Sequence, residues 1–196
     1  MLIPINLTSG VTVADVEIIG HDHDNLYDGS GKAPLTFFCL DLLSIKYRMN
    51  SAMTTEGGWA DTEMRQFLNG ELFNALPSSL KTIVKLVKKI SDGGENNKSL
   101  VTTADYCWLA SFDEAGFTKS NGNLFGQGNA YNEIFNSDAS RIKYIIDEGA
   151  AGGWWLRSVS YSDIGSSSLF FYVTKSGGNY GYFPSVDMYV AFGFCI

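Results

Sequence analysis

Short apolar runs broken by turn formers fill the first 43 residues, with VTVADVEII and PLTFFCLDLL on either side of a polar segment at residues 21–32. This spacing predicts two or three strands around a loop. After Gly57 and Gly58 the period becomes helical: Met64, Phe67, Leu68 and Leu72 share one face, and Asp61 or Thr62 is placed to cap the start. A second helix is predicted to open at Pro77, with Leu80, Ile83, Val84, Val87 and Ile90 turned inward. Its Lys81, Lys85, Lys88 and Lys89 form a solvated face, and Asp92, Gly93 and Gly94 end it. Residues 106–109 suit a buried strand, residues 119–128 a surface loop, and residues 131–146 show a mixed pattern.

Residues 154–196 differ from everything before them. They hold 12 of the 27 aromatic residues, yet Arg157, Asp163, Lys175 and Asp187 are their only charges. Three apolar cores, WWLRS, SLFFYVT and YVAFGFCI, read as strands. Between them lie two excursions, at residues 159–168 and 175–189, built from Ser, Gly, Tyr, Asn, Asp and Phe. Tyrosine offers a large rigid contact area at low entropic cost, and Ser, Gly and Asn supply adaptable hydrogen bonds, a mixture suited to binding loops. Tyr161, Tyr180, Tyr182, Phe183 and Tyr189 would be the anchors. The competing reading packs these rings into the core and leaves the serines in turns.

Composition narrows the functional classes. At 196 residues and 45% hydrophobic content, one domain with a sizeable core is expected. A net charge of −7 argues against a nucleic-acid binder, which needs cations along the phosphates. Nothing reads as a membrane span or as a secretory signal. Synthesis in the cytoplasm is expected, compatible with later virion association or display at a surface. Cys39, Cys107 and Cys195 are odd in number and apolar in context, so they read as buried thiols.

Candidate chemistry is sparse. His21, Asp22, His23 and Asp24 offer metal-ligand types, but adjacent residues rarely converge on one ion, and a solvated loop is the simpler account. The stretch 22–31 lacks the spacing of a calcium loop. With both histidines side by side, no nucleophile has an evident base. No phosphate-binding glycine motif is present. Asp113 and Glu114 read as a polar turn or cap. Arg157, inside an apolar string, reads as a structural cation paired with a carboxylate or with carbonyls at a loop base. No cofactor and no metal are expected.

Four motifs together resemble a family of bacterial and phage domains: residues 57–69 (GGWADTEMRQFLN), 108–111 (WLAS), 154–158 (WWLRS) and 190–196 (VAFGFCI). The resemblance implies a C-type-lectin-like α+β fold shared with formylglycine-generating enzymes, with two helices packed on small antiparallel sheets. Some members of that family are the variable proteins of diversity-generating retroelements, in which adenine-directed errors diversify a C-terminal segment. It implies a single domain over residues 1–196, with residues 154–196 as the variable region. Trp154, Trp155, Leu156, Arg157, Phe192, Gly193 and Phe194 would then be scaffold. The displayed, ligand-binding set would be Tyr161, Ser162, Asp163, Ser166, Ser167, Ser168, Tyr180, Tyr182, Phe183, Asp187 and Tyr189. Its partner would be a protein or glycan, with no nucleic acid and no membrane insertion, and homo-oligomerisation stays open. A structural module of a phage particle or envelope is the alternative. Formylglycine generation is a distant third, because the three cysteines do not resemble the copper-binding pair of that enzyme.

Overall fold

The computed structural model describes residues 1–118, 125–161 and 168–196. Its strands are β1 (Leu2–Leu7), β2 (Gly10–His21), β3 (Leu35–Cys39), β4 (Lys46–Tyr47), β5 (Val87–Asp92), β6 (Leu100–Asp105), β7 (Cys107–Trp108), β8 (Lys143–Tyr144), β9 (Ala151–Gly152), β10 (Trp154–Tyr161), β11 (Ser168–Val173), β12 (Asn179–Tyr182), β13 (Met188–Tyr189) and β14 (Gly193–Cys195). Helical segments are short: α1 (Glu63–Phe67), α2 (Phe73–Ala75), α3 (Ser78–Lys81) and α4 (Asp138–Arg141). Strand outweighs helix, 39% against 14%, so the chain is α+β with sheets carrying most of the core. One five-stranded sheet runs β1-β2-β3-β14-β7 and another β12-β11-β10-β13-β4, with the ribbons β5-β6 and β8-β9 beside them. Among the described residues, no helix is long and apolar enough to cross a membrane.

The motif at residues 57–69 builds the junction between helix and sheet. Thr62 caps α1 by accepting from the Arg65 amide, which settles the choice between Asp61 and Thr62. Trp59 and Arg65 both reach Asp105 at the end of β6: Trp59 Nε1 donates to Oδ2 at 3.1 Å and Arg65 Nε to Oδ1 at 2.6 Å. Asn69 completes the joint, donating to the Cys107 carbonyl and accepting from the Tyr106 amide. A π-helical turn, Leu68–Leu72, links α1 to α2, so the predicted first helix is real in extent and irregular in its middle. The C-terminal motif is equally structural. Strand β14 fills the slot between β3 and β7, and a side chain at Gly193 would come within 2.5 Å of the Trp108 ring.

The second predicted helix does not form. Only Ser78–Lys81 is helical, and Val87–Asp92 is the strand β5, paired along its whole length with β6. The pairs Leu80/Val84 and Ile83/Val87, four residues apart, satisfy both a 3.6 and a 2.0 period, and β-branched residues favour the pleated alternative once a partner strand is available. The period of 2 turns Lys88 outward and Lys89 inward. Lys89 is therefore buried, contrary to the solvated face expected of it.

Strand β1 is a free edge, and its alternation reveals how that edge is kept unpaired. The Val16 amide bonds the Met1 carbonyl, and β1 pairs β2 in continuous register, so Ile3, Ile5 and Leu7 face β2 while Leu2, Pro4 and Asn6 direct their backbone groups outward. Proline has no N–H, and Pro4 removes the donor from the middle of that edge. Exposed Leu2 and Val11 flank it. Pro4→Val should restore the donor and produce concentration-dependent association in sedimentation velocity, with the wild type unchanged. A variant that sediments as the wild type does would show that Pro4 guards nothing.

Candidate functional site

Two residues of the expected displayed set, Tyr180 and Tyr182, project from one face of the second sheet. Strand β12 pairs β11 with Tyr180 opposite Tyr172 and Tyr182 opposite Phe170, while β10 places Trp155 opposite Tyr172. Directly paired residues share a face, so Trp155, Tyr172 and Tyr180 form an aromatic row across three strands. Tyr172 is its centre: ring centroids lie 6.3 Å from Trp155, 6.5 Å from Tyr180 and 5.9 Å from Tyr182, all edge-on. Phe183 continues the cluster at 5.9 Å from Tyr182. Trp155 is buried and donates to the Tyr47 carbonyl, but Tyr180 is 65% exposed and Tyr182 and Phe183 are each 39% exposed. A cluster of exposed rings braced from below is what an interaction surface requires.

Beside this row lies a groove of about 530 Å³, in the size range of small-ligand sites. Tyr172 and Tyr189 line it together with Gly152 and Gly153. A side chain at Gly152 would meet the Tyr189 ring at 2.9 Å, and one at Gly153 the Tyr172 ring at 3.3 Å, so these two glycines set the depth of the groove. Asp187, Lys46, Thr174 and Ser176 supply polar groups to it. Lys46 Nζ sits 4.5 Å above the Tyr189 ring, and the hydroxyls of Thr174 and Ser176 are 3.0 Å apart. Partial burial, and then the neighbouring phenols of Tyr182 and Tyr180, raise the Tyr172 pKa. Tyr172 is thus a neutral phenol near pH 7.

The remaining members are placed differently. Tyr161, at the end of β10, is half-buried; its hydroxyl donates to Asp92 and lies 2.9 Å from the Gly94 carbonyl oxygen. Burial, reinforced by Asp92, raises its pKa far above the ordinary phenol value. Ser162, Asp163, Ser166 and Ser167 lie outside the described residues, and Ser168 opens β11. The second excursion is partly sheet, since Tyr180 and Tyr182 belong to β12 and Tyr189 to β13. Sequence reasoning missed Tyr172, Lys46, Gly152 and Gly153. For Tyr172 a signal existed: in SLFFYVT, alternation sets Phe171 and Val173 inward and Tyr172 out.

The interior also holds a buried cluster of four charges, Asp24, Lys89, Glu114 and Arg157. Lys89 Nζ donates to Asp24 Oδ1 at 2.5 Å, to Glu114 Oε1 at 3.1 Å and to the Tyr131 hydroxyl at 3.1 Å, and lies 3.3 Å from the Trp108 ring centroid. Tyr131 passes its own proton toward Asp24, and Thr36 donates to Asp24 Oδ2 at 2.6 Å. Arg157 spends its whole fork, on Ser91, Glu114 and the carbonyls of Leu109, Ile90 and Gln127. Burial would raise the Asp24 pKa, but the Lys89 ammonium and the hydrogen bonds outweigh it and hold the carboxyl well below its usual range. Burial opposes Glu114 likewise, and Arg157 first, then Lys89, lower its pKa.

Two expectations are corrected here. The loop at residues 21–24 is not wholly solvated: Asp24 is buried and His23 packs against Tyr131, because the Lys89 charge must be matched inside. Glu114 does lie in a turn, at residues 112–116, and accepts from the Ser111 amide in the manner of a cap, but it is buried there as an interior counter-ion rather than solvated. Arg157 is paired with a carboxylate as expected. A smaller cavity of about 230 Å³ opens above the cluster beside His23, Lys88 and Gly128. All three cysteines are free and buried, and burial pushes the thiols of Cys39 and Cys195 up to about 12.

A family model described as Domain of unknown function (DUF6273) matches residues 36–189, a span that takes in the aromatic row and the groove. No curated protein and no solved structure matches the chain.

Proposed function

For a chain that belongs to the DUF6273 family, a domain of unknown function, we propose a non-catalytic role: the display of a ligand-binding face on a C-type-lectin-like scaffold. The exposure of Tyr180, Tyr182 and Phe183 around a braced Tyr172 is the observation that carries this reading. The four sequence motifs support it from the other side, since Trp59, Arg65, Trp108, Arg157 and Gly193 are all engaged in holding the frame. Neutral thiols and charges committed to one another favour binding over covalent chemistry. The ligand is a protein or glycan met at a cell or virion surface. Diversification by a retroelement is part of the proposal, and it requires a reverse transcriptase gene near a second, imperfect copy of the bases encoding residues 154–196.

The competing role is a subunit of an assembly in which the aromatic face is permanently covered. Sedimentation velocity of the wild type and of a Tyr180→Ala, Tyr182→Ala double variant separates the two. Display predicts identical masses, and a stability change within about 0.5 kcal/mol as is usual for exposed positions. A stable wild-type oligomer that the double variant dissolves would sink the display reading.

A further inference from the structure

The two outermost edges of the sheets that bear exposed apolar side chains are treated in opposite ways. At β1 the outward-facing donor of position 4 is deleted by proline. At β12 nothing equivalent is present. The hairpin joining β11 to β12 closes with the Gly177 amide on the Thr174 carbonyl and the Thr174 amide on the Gly178 carbonyl. From that closure the ladder alternates, so Tyr180 and Tyr182 bond back to β11 while Asn179 and Gly181 turn their N–H and C=O groups to the free edge. Among the described residues, no backbone hydrogen bond reaches Asn179 or Gly181 from outside the sheet. The open edge therefore lies alongside the exposed tyrosines, and its backbone groups alternate with their side chains.

We propose that β12 is a docking edge for an extended peptide segment of a partner protein, which adds to the sheet as a further strand beside Tyr180 and Tyr182. This inference rests on the display reading and makes the partner a polypeptide. Paired N–H and C=O groups at a two-residue repeat are matched in full by another extended backbone. Side chains of the incoming strand that lie opposite Tyr180 and Tyr182 fall on the same face within contact distance of the rings, so apolar or aromatic residues belong at alternate positions. A chain carrying −7 favours a segment with net positive charge.

Short random peptides displayed on phage are panned on the immobilised full chain, with an Asn179→Pro variant as counter-selection; proline is tolerated at an edge whose N–H faces outward. Enriched peptides should alternate apolar and polar residues and carry Lys or Arg. In the synthetic peptide, N-methylation at every second residue should weaken binding at least about tenfold, with the intervening residues indifferent. Asn179→Pro should weaken it to a similar degree at unchanged melting temperature. If that variant does not fold, the N-methyl scan decides alone. Failure to enrich any peptide, or a scan with no period of two, overturns the edge. So does a wild-type dimer that Asn179→Pro dissolves, which would make a second copy of the chain the occupant. Binding lost in Tyr180→Ala but aperiodic in the scan removes the edge and keeps the display face. A periodic scan with binding indifferent to Tyr180→Ala and Tyr182→Ala keeps the edge and removes the face.

Discussion

Arg157→Met is expected to destabilise the protein by about 3–5 kcal/mol, the range for breaking a buried ion pair from one side. The methionine fills most of the volume but leaves Glu114 with one fewer cation and takes the guanidinium hydrogen bonds away from the carbonyls of Leu109, Ile90 and Gln127. For a domain of this size the loss corresponds to a fall in melting temperature of roughly 6–20 °C. Neutralising the stranded carboxylate should recover part of it. The double variant Arg157→Met, Glu114→Gln is expected to be more stable than the sum of the single changes predicts, by about 1 kcal/mol or more, because the two side chains share one interaction. Urea unfolding of the four proteins measures the coupling. Strict additivity would mean that Arg157 acts through its carbonyl contacts and that its charge is incidental.

The second large effect is a steep loss of stability in acid. Asp24 and Glu114 both have folded-state pKa values depressed below the ordinary carboxylate range, so each contributes stability that is fully present above about pH 4. That contribution is lost as the pH falls from there toward the folded-state values. Every tenfold weakening of proton affinity is worth about 1.4 kcal/mol, and two such carboxylates make a loss of several kcal/mol reasonable between about pH 4 and pH 2. Asp92 works in the opposite sense. Burial raises its pKa, so protonation relieves a penalty as the pH falls toward 4 and delays the decline. The urea midpoint followed from pH 7 to pH 2 should therefore stay nearly level and then drop below about pH 4. A uniform slope across the whole range would point to the surface charge of the chain instead of the buried cluster.

The sequence carried the frame better than the site. Local signals sufficed wherever one residue type had one plausible fate. Arg157 in an apolar string and three cysteines in apolar runs ended as they read, and of the two offered caps, Asp61 and Thr62, the structure uses Thr62. Reading failed where a pattern fitted two periods and a distant partner chose between them. Val87 to Asp92 became a strand because β6 was there to pair, and that one change carried Lys89 into the interior and drew Asp24 and Glu114 in behind it. The exposed tyrosines were legible as composition, but Tyr172, which gathers them, was hidden inside an apparent core strand. The groove was illegible for a simpler reason: Lys46, Gly152 and Tyr189 meet only through the pairing of β4, β13 and β10.

The slot filled by β14 also orders events during synthesis. Strands β3 and β7 are both made long before residues 193–195, and neither can pair across the slot until those residues leave the ribosome. At about 5–20 residues per second, β3 waits on the order of ten seconds with that edge open. A substitution within residues 193–195 therefore acts on the closing piece of the whole sheet. A change that spoils β14 forfeits the domain, whereas one at Tyr180 or Tyr182 alters only an exposed ring on a sheet already closed.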